Sequence, residues 1–452
     1  MSFATISMIR AGRAAFQITR SLWFVFASVL AALIATPSAH ATFPGASGLI
    51  AFERITGSTG EVWSMNPNGT GLTDITRNSA DDEFPAWSPS GTEVAFDSNR
   101  VDPSLLAYDL FTMHAARGDA RRVTLSSSDD FDPKWSPDGS RLVFVSVRGG
   151  NEDIYTTDAV PGAAWRRLTT SPARDDGPAW SPGGHEIAFS SRRDGNWEIY
   201  VMHASGADKR RLTHTRAEEG GPAWSPNGHR IAFWSTRTGA ARIFVMRADG
   251  RGERQLTHYA RPGGDYDPVW SPDSRRIAFV SSRSGTFQLY SMTVGGTGLK
   301  RLTSGSAFSV APDWQPRCTV TGTAGDDTLV GGSGNDLLCG LDGNDSISDV
   351  GGENTIFGGE GNDVLQGGSG TDVLVGGVGA DHLDGGPGAD VVNARDGAGG
   401  DTVTGDSGDQ CLVDAGDTVV GCTPILPAIQ PMTATWTGRT GSAASGVDHL
   451  RR

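Results

Sequence analysis

The sequence predicts an all-β protein in two unlike parts, a ring of six blades followed by a shorter structure made of nine-residue repeats. Three observations carry this. A tryptophan followed by Ser-Pro returns at Trp87, Trp135, Trp180, Trp224 and Trp270, with a variant at Trp314, at spacings of 48, 45, 44, 46 and 44 residues. From Gly322 the period drops to nine and holds through eight adjacent units. The charge divides at the same place. The chain nets −14, yet residues 322–422 hold 19 Asp or Glu against one basic residue, Arg395. That stretch therefore stands at −18 and the remainder at about +4, the difference between −14 and −18. Acidity confined to one glycine-rich stretch implies local chemistry and argues against nucleic acid as its partner.

Taken in chain order, Arg10, Arg13 and Arg20 precede an apolar run from Leu22 to Ile34 that leads into Ala39-His40-Ala41. This is the pattern of a secretory signal peptide at residues 1–41, cut before Thr42. Its apolar core is short for a membrane span, and no cysteine near the cut provides a lipid attachment point. The expectation is a secreted or extracellular protein, or a periplasmic one if the organism has an outer membrane, soluble once the signal is removed. At the other end, the Pro/Thr/Ser-containing residues 423–452 read as a disordered tail.

Residues 42–316 form the ring. Each copy of the long repeat alternates strand-like runs with turn clusters, as in residues 178–213, where EIAFS, EIYVM and RRLT are separated by SPGG, RRDGN and ASGAD. A period in the forties with several short strands per copy is the signature of a propeller blade. The Ile-Ala-Phe run or a variant begins at Ile50, Val94, Leu142, Ile187, Ile231 and Ile277, but the first copy has no tryptophan strand before it. Trp314 in turn has no such run after it. Six blades follow if Val310–Trp314 completes the first blade, which joins the ends of the ring and removes exposed sheet edges.

The repeat Trp-Ser-Pro-x-Gly, Ile-Ala-Phe, Ile-Tyr-x-Met, Arg-Leu-Thr resembles that of TolB-like propellers over about residues 48–316. The resemblance implies protein binding at the face or channel of the propeller, without catalysis. The signal peptide expected at 1–41 runs almost directly into the first blade, so the α/β domain that precedes the propeller in TolB is expected to be missing and its roles are not carried over.

An acidic cluster precedes most tryptophan strands: Asp82 and Glu83, Asp130 and Asp132, Asp175 and Asp176, Glu218 and Glu219, Asp265 and Asp267. Repetition places all of these on one rim. They form either a negative mouth for a basic ligand or cation, or turn caps and salt bridges within the blades. The arginines after the second strand, Arg100, Arg148, Arg192, Arg237 and Arg283, suit the second role.

Residues 317–422 carry the short repeat. The units are GTAGDDTLV, GGSGNDLLC, GLDGNDSIS, DVGGENTIF, GGEGNDVLQ, GGSGTDVLV, GGVGADHLD and GGPGADVVN, ending at Asn393. Their consensus, Gly-Gly-x-Gly-x-Asp-x-U-x with U apolar, is similar to the calcium-binding nonapeptide of RTX, or hemolysin-type, proteins. That resemblance implies a parallel β-roll in which two units make one coil. Asp327, Asp345, Asp363 and Asp381 then form one ladder of calcium ligands. Asp336, Asp372 and Asp390 form the other, with Asn354 in its gap. Glycines at the first, second and fourth positions are expected to take the left-handed backbone of a tight turn. Carboxylates about 4.8 Å apart repel by about 3.5 kcal/mol at an effective dielectric of about 20. A hard divalent cation removes that repulsion, and calcium accepts mixed carboxylate and carbonyl shells better than magnesium does. The complete expectation is a six-bladed β-propeller followed by a parallel β-roll, with calcium as cofactor.

Cys318, Cys339, Cys411 and Cys422 flank the acidic segment. They have no Cys-x-x-Cys spacing for zinc, which favours two disulfides in an oxidising compartment; 318–339 with 411–422 is one of three pairings. Gly405-Asp406-Ser407-Gly408-Asp409 looks like a serine-protease nucleophile segment, but it keeps the nonapeptide register and has no protease-sized surroundings. His185 and His229 occupy equivalent turns, and His214 and His258 equivalent Leu-Thr-His positions, so repeat geometry keeps them apart. The expected function is a non-enzymatic binding or scaffold protein with a protein or cell-envelope ligand at the propeller. The alternative is an extracellular hydrolase or polysaccharide lyase with its site at the channel mouth.

Overall fold

The structure, a computed structural model, describes residues 46–101, 107–116, 118–259 and 263–426. The signal peptide expected at 1–41 lies outside the described residues, as does the tail from residue 427 onward. All regular structure among the described residues is β.

Six four-stranded antiparallel sheets form the propeller. The ring closes as the repeat count requires. Phe308–Arg317 pairs with Ala46–Thr56, setting Trp314 opposite Ile50, and so becomes the innermost strand of the first blade. Gln315 fixes the joint through its side chain, accepting the Leu49 amide at 2.8 Å and donating to the Gly91 carbonyl at 2.7 Å. The tryptophans of the inner strands are buried between neighbouring blades. Trp135 and Trp270 donate their indole N–H to Ala86 and Ala223 of the preceding blades at 3.1 and 3.0 Å. Hydrophobic burial and a satisfied polar tip thus act on the same contact.

Every inner strand is kinked at one place. The residue three before the tryptophan has positive φ in all six blades, at Phe84, Asp132, Gly177, Gly221, Asp267 and Ala311, with φ between 48° and 60°. The strand pairing skips there, as between Glu83 and Ala86, which is a β-bulge repeated around the ring. Glycine adopts this conformation freely; the other four positions carry a cost of about 1–3 kcal/mol each that the closed ring must absorb.

The second region is a stack of short parallel strands in two sheets, one of seven and one of six. Alternate units feed alternate sheets, so each coil takes two units. Leu338, Ile356, Leu374, Val392 and Cys411 follow one another in register on one sheet. Leu329, Ile347, Leu365, Leu383 and Val403 do so on the other, and both rows meet in one thin buried core. The last strand, Thr423–Ile425, pairs with Gln410–Leu412, so regular structure continues past Cys422, where a disordered tail was expected to begin.

The roll lies against the Trp-Ser-Pro turns of the propeller. His185 contacts the Ala389 carbonyl through Nε2 at 2.9 Å and the Gln410 amide through Nδ1. His229, at the equivalent turn one blade on, faces Glu353. The two histidines that repeat geometry kept apart therefore have one role, seating the even-numbered units of the roll.

Candidate metal centre

Turn geometry brings the sixth-position residues into two columns. In one, the backbone N–H of Asp327 donates to Oδ1 of Asp345, Asp345 to Asp363, Asp363 to Asp381, and Asp381 to Asp401, each at 2.8 Å. In the other, Asp336 donates to Asn354 at 2.9 Å, Asn354 to Asp372 at 2.7 Å, Asp372 to Asp390 at 2.8 Å, and Asp390 to Asp409 at 2.9 Å. The seven aspartates named from the sequence fall in these two columns in the expected order. Asp401 and Asp409 extend them. They escaped the count because the steps to them are 20 and 19 residues, not 18.

One oxygen of each carboxylate is thereby used, and the other is informative. Oδ2 of Asp345, Asp363, Asp381, Asp372 and Asp390 is buried and has no hydrogen-bond partner among the described residues. Such orphaned anionic oxygens are costly unless something cationic meets them. They face small cradles over the first glycine of each unit. A Cβ on Gly340 or Gly358 would overlap Oδ2 of Asp345 or Asp363 and also meet the carbonyl oxygen of the first glycine one coil on. These two cradles, and that over Gly367, therefore offer a carboxylate oxygen and a carbonyl oxygen, hard donors of the kind calcium takes. No three His, Cys, Asp or Glu groups converge on one point among the described residues, so backbone carbonyls and water would complete a calcium shell there. The residues present fit the ion that the repeats imply.

The cradles also explain the glycines. Left-handed backbone was expected at the first, second and fourth positions, but the first glycines do not take it; Gly359 and Gly361 illustrate the two positions that do, at φ 131° and 132°. The first glycine is needed instead to leave the cradle open. Val350, at the second position of its unit, does not adopt positive φ, whereas Leu341 at the same position does, at φ 92°.

Electrostatics agree with the geometry. Burial, opposed by the Asn354 amide, pushes the Asp372 carboxyl up to about 7. Burial likewise raises Asp390 to about 7, with Asp409 and Asp372 adding to it, and Asp381 and Asp401 to about 6. Asp327 and Asp336 differ from the rest. Asp327 Oδ2 accepts the Thr323 amide at 2.6 Å, and Asp336 Oδ2 accepts the Gly332 amide at 2.8 Å. That distinction is not legible in the repeat, because it depends on side-chain rotation at the start of the stack. Disulfides join Cys318 to Cys339 and Cys411 to Cys422, stapling both ends of the columns.

The acidic residues of the propeller do not form one exposed rim. Asp82, Asp130, Asp175, Glu219 and Asp265 are buried, and each forms an ion pair with the arginine eighteen residues later: Arg100, Arg148, Arg193, Arg237 and Arg283. Each arginine lies over aromatic rings of its blade, such as Phe189 and Tyr200 for Arg193, and its Nε reaches a serine, here Ser191 at 2.8 Å. In the third of these blades the clamp is Arg193, not the expected Arg192, which pairs with the more exposed Glu218. Asp132 pairs with buried Lys134. Burial pushes Asp176 well up, with Glu152 next, and Asp97 well up, with Glu83 next. Asp267 is half-buried at its bulge.

Residues 128–220 and 213–323 match the TolB beta propeller domain family. Residues 319–347, 349–383 and 366–398 match the RTX calcium-binding nonapeptide repeat. No curated protein matches the chain. Among solved structures, TolB from Acinetobacter baumannii is similar at 20% identity and a TM-score of 0.53, over 60% of this chain and 67% of that one. Hydrazine synthase from Kuenenia stuttgartiensis is similar at 13% identity and a TM-score of 0.52, over 61% and 47%. At these identities the likeness is one of fold. The chain thus joins a TolB-like six-bladed propeller to RTX calcium-binding repeats.

Proposed function

We propose that this chain is an extracellular, calcium-dependent binding protein without catalytic activity, in which calcium orders the β-roll and the propeller recognises a protein or cell-envelope ligand. The observation that carries the calcium half is the pair of columns of buried, partnerless Oδ2 atoms, which face open cradles, those over Gly340, Gly358 and Gly367 also reached by a backbone carbonyl oxygen. Ions seated there replace carboxylate repulsion by attraction along the stack, so that binding free energy becomes folding free energy. The recognition half follows from the docking. The roll covers the Trp-Ser-Pro turns, which leaves the opposite face of the ring for a ligand, while five acids of the inner strands are already engaged by arginines within their blades. Two disulfides and the RTX repeats are consistent with an extracellular or periplasmic location.

Circular dichroism and calcium titration of the full chain test this reading. Calcium at about 0.1–1 mM, the affinity class of extracellular modules, is expected to add β-structure that a chelator removes. A spectrum and a heat of titration indifferent to calcium would remove the reading.

A further inference from the structure

The unit Asp349–Phe357, DVGGENTIF, departs from the consensus at both ends of its turn, with Asp349 for the first glycine and Asn354 for the aspartate. At Asn354, Oδ1 takes the usual place of an aspartate Oδ1 by accepting the Asp336 amide at 2.9 Å. The atom left to face the cradle is Nδ2, which is buried and has no hydrogen-bond partner. A donor there opposes a cation, so this cradle is lost.

Asp349 acts on the cradle one coil earlier. It is only 8% exposed, and its Oδ1 accepts the Gly351 amide at 2.8 Å. Its Oδ2 has no hydrogen-bond partner and occupies the space into which a Cβ on Gly331 would project. That space is the cradle of the second unit. The native aspartate of that unit does not serve it, because Asp336 Oδ2 turns to the Gly332 amide at 2.8 Å. The consensus carboxylate is thus diverted, and a non-consensus one from the next coil points into the vacated place. Asn354 lies near enough to Asp349 and Asp372 to ease both carboxyls, but not at hydrogen-bonding geometry, so the amide does not satisfy Asp349 Oδ2.

We propose that Asp349 supplies the carboxylate of the cation site over Gly331, so that the break at Asn354 removes one calcium site from this ladder and not two. This inference rests on the calcium reading of the roll. It also inverts what the consensus suggests, since returning Asp349 to glycine would weaken the ladder.

Equilibrium dialysis of the full chain against calcium at pH 8 counts the ions directly. Asp349→Gly, which restores the consensus glycine and so suits the backbone, and Asp349→Asn, which keeps the side-chain size, are each expected to bind one calcium fewer than the unaltered chain. Asp363→Asn, in the other ladder, serves as the reference for the calcium reading itself. If Asp363→Asn loses calcium while either Asp349 variant binds as much as the unaltered chain, Asp349 is not a ligand and the proposal is overturned. If the unaltered chain binds no calcium at all, the underlying reading falls together with the proposal.

Discussion

The propeller and the roll both bury rows of carboxylates, and they neutralise them in opposite ways. In the propeller, five inner-strand acids each meet an arginine from the same blade, which is held in turn by a serine and by aromatic rings. In the roll, residues 322–422 contain a single basic residue, Arg395, and the partnerless Oδ2 atoms meet no cation among the described residues. The difference teaches where each region obtains its stability. The propeller carries its counterions in its sequence, whereas the roll takes them from solution.

The largest effect expected from breaking this contrast is at the closure of the ring. Deleting Val310–Trp314 removes the strand that pairs with Ala46–Thr56, and the propeller should lose its cooperative melting in calcium and in chelator alike. Next comes the clamp. Arg193→Ala leaves the fully buried Asp175 without its cation, a loss of about 3–5 kcal/mol that denaturant unfolding should show to be independent of calcium.

The closing blade sharpens the point. Aligning Trp314 with Trp87 puts Ser309 and Thr56 where the other blades have the acid and the arginine, so this blade has neither charge of the pair. Neutral residues there are tolerated because no buried carboxylate needs an answer.

Within the roll, Asp363→Ala should reduce bound calcium and β-content more than Asp336→Ala does. Asp363 presents a partnerless Oδ2, whereas that of Asp336 is already satisfied by a backbone amide. The expected difference is about tenfold in affinity for the affected site, or about 1.4 kcal/mol by titration calorimetry. Equal losses would show that the two aspartates stand in equivalent sites.

A smaller effect is expected from pH. Asp372 and Asp390 titrate near 7 in the calcium-free fold, raised by burial above the ordinary carboxylate value. The folded roll therefore binds protons more tightly than the unfolded chain does. Its calcium-free stability should rise as pH falls from about 7 towards 4, and be lowest above pH 7. Calcium affinity should move the other way, because protons compete for the same oxygens. Melting of the roll at pH 5.5 and 8, with and without calcium, checks both signs.

Much of this was legible in the sequence because repetition multiplies weak signals. Six tryptophans fixed the blade count and pointed to Val310–Trp314 as the closing strand, and the nonapeptide period placed the two aspartate columns in order. What escaped depends on single atoms. Adjacent arginines hid that Arg193, and not Arg192, is the clamp, although the constant step of eighteen residues from acid to arginine would have revealed it. The first glycine of each unit reads as a turn residue, while its role is to leave room for a carboxylate. Asp349 reads as a defect until its Oδ2 is seen in the cradle over Gly331. The docking role of His185 and His229 required both regions at once.

The central claim, that the propeller is self-sufficient and the roll depends on calcium, is tested most directly by differential scanning calorimetry of the full chain in chelator and in 10 mM calcium at pH 8. The account predicts a propeller transition at the same temperature in both, and a second transition, that of the roll, which appears or moves sharply upward only with calcium. A site held at ten times its Kd contributes about 1.4 kcal/mol, so several sites make the shift large. Two traces that superimpose, or a propeller transition that moves with calcium as far as the roll does, would contradict it.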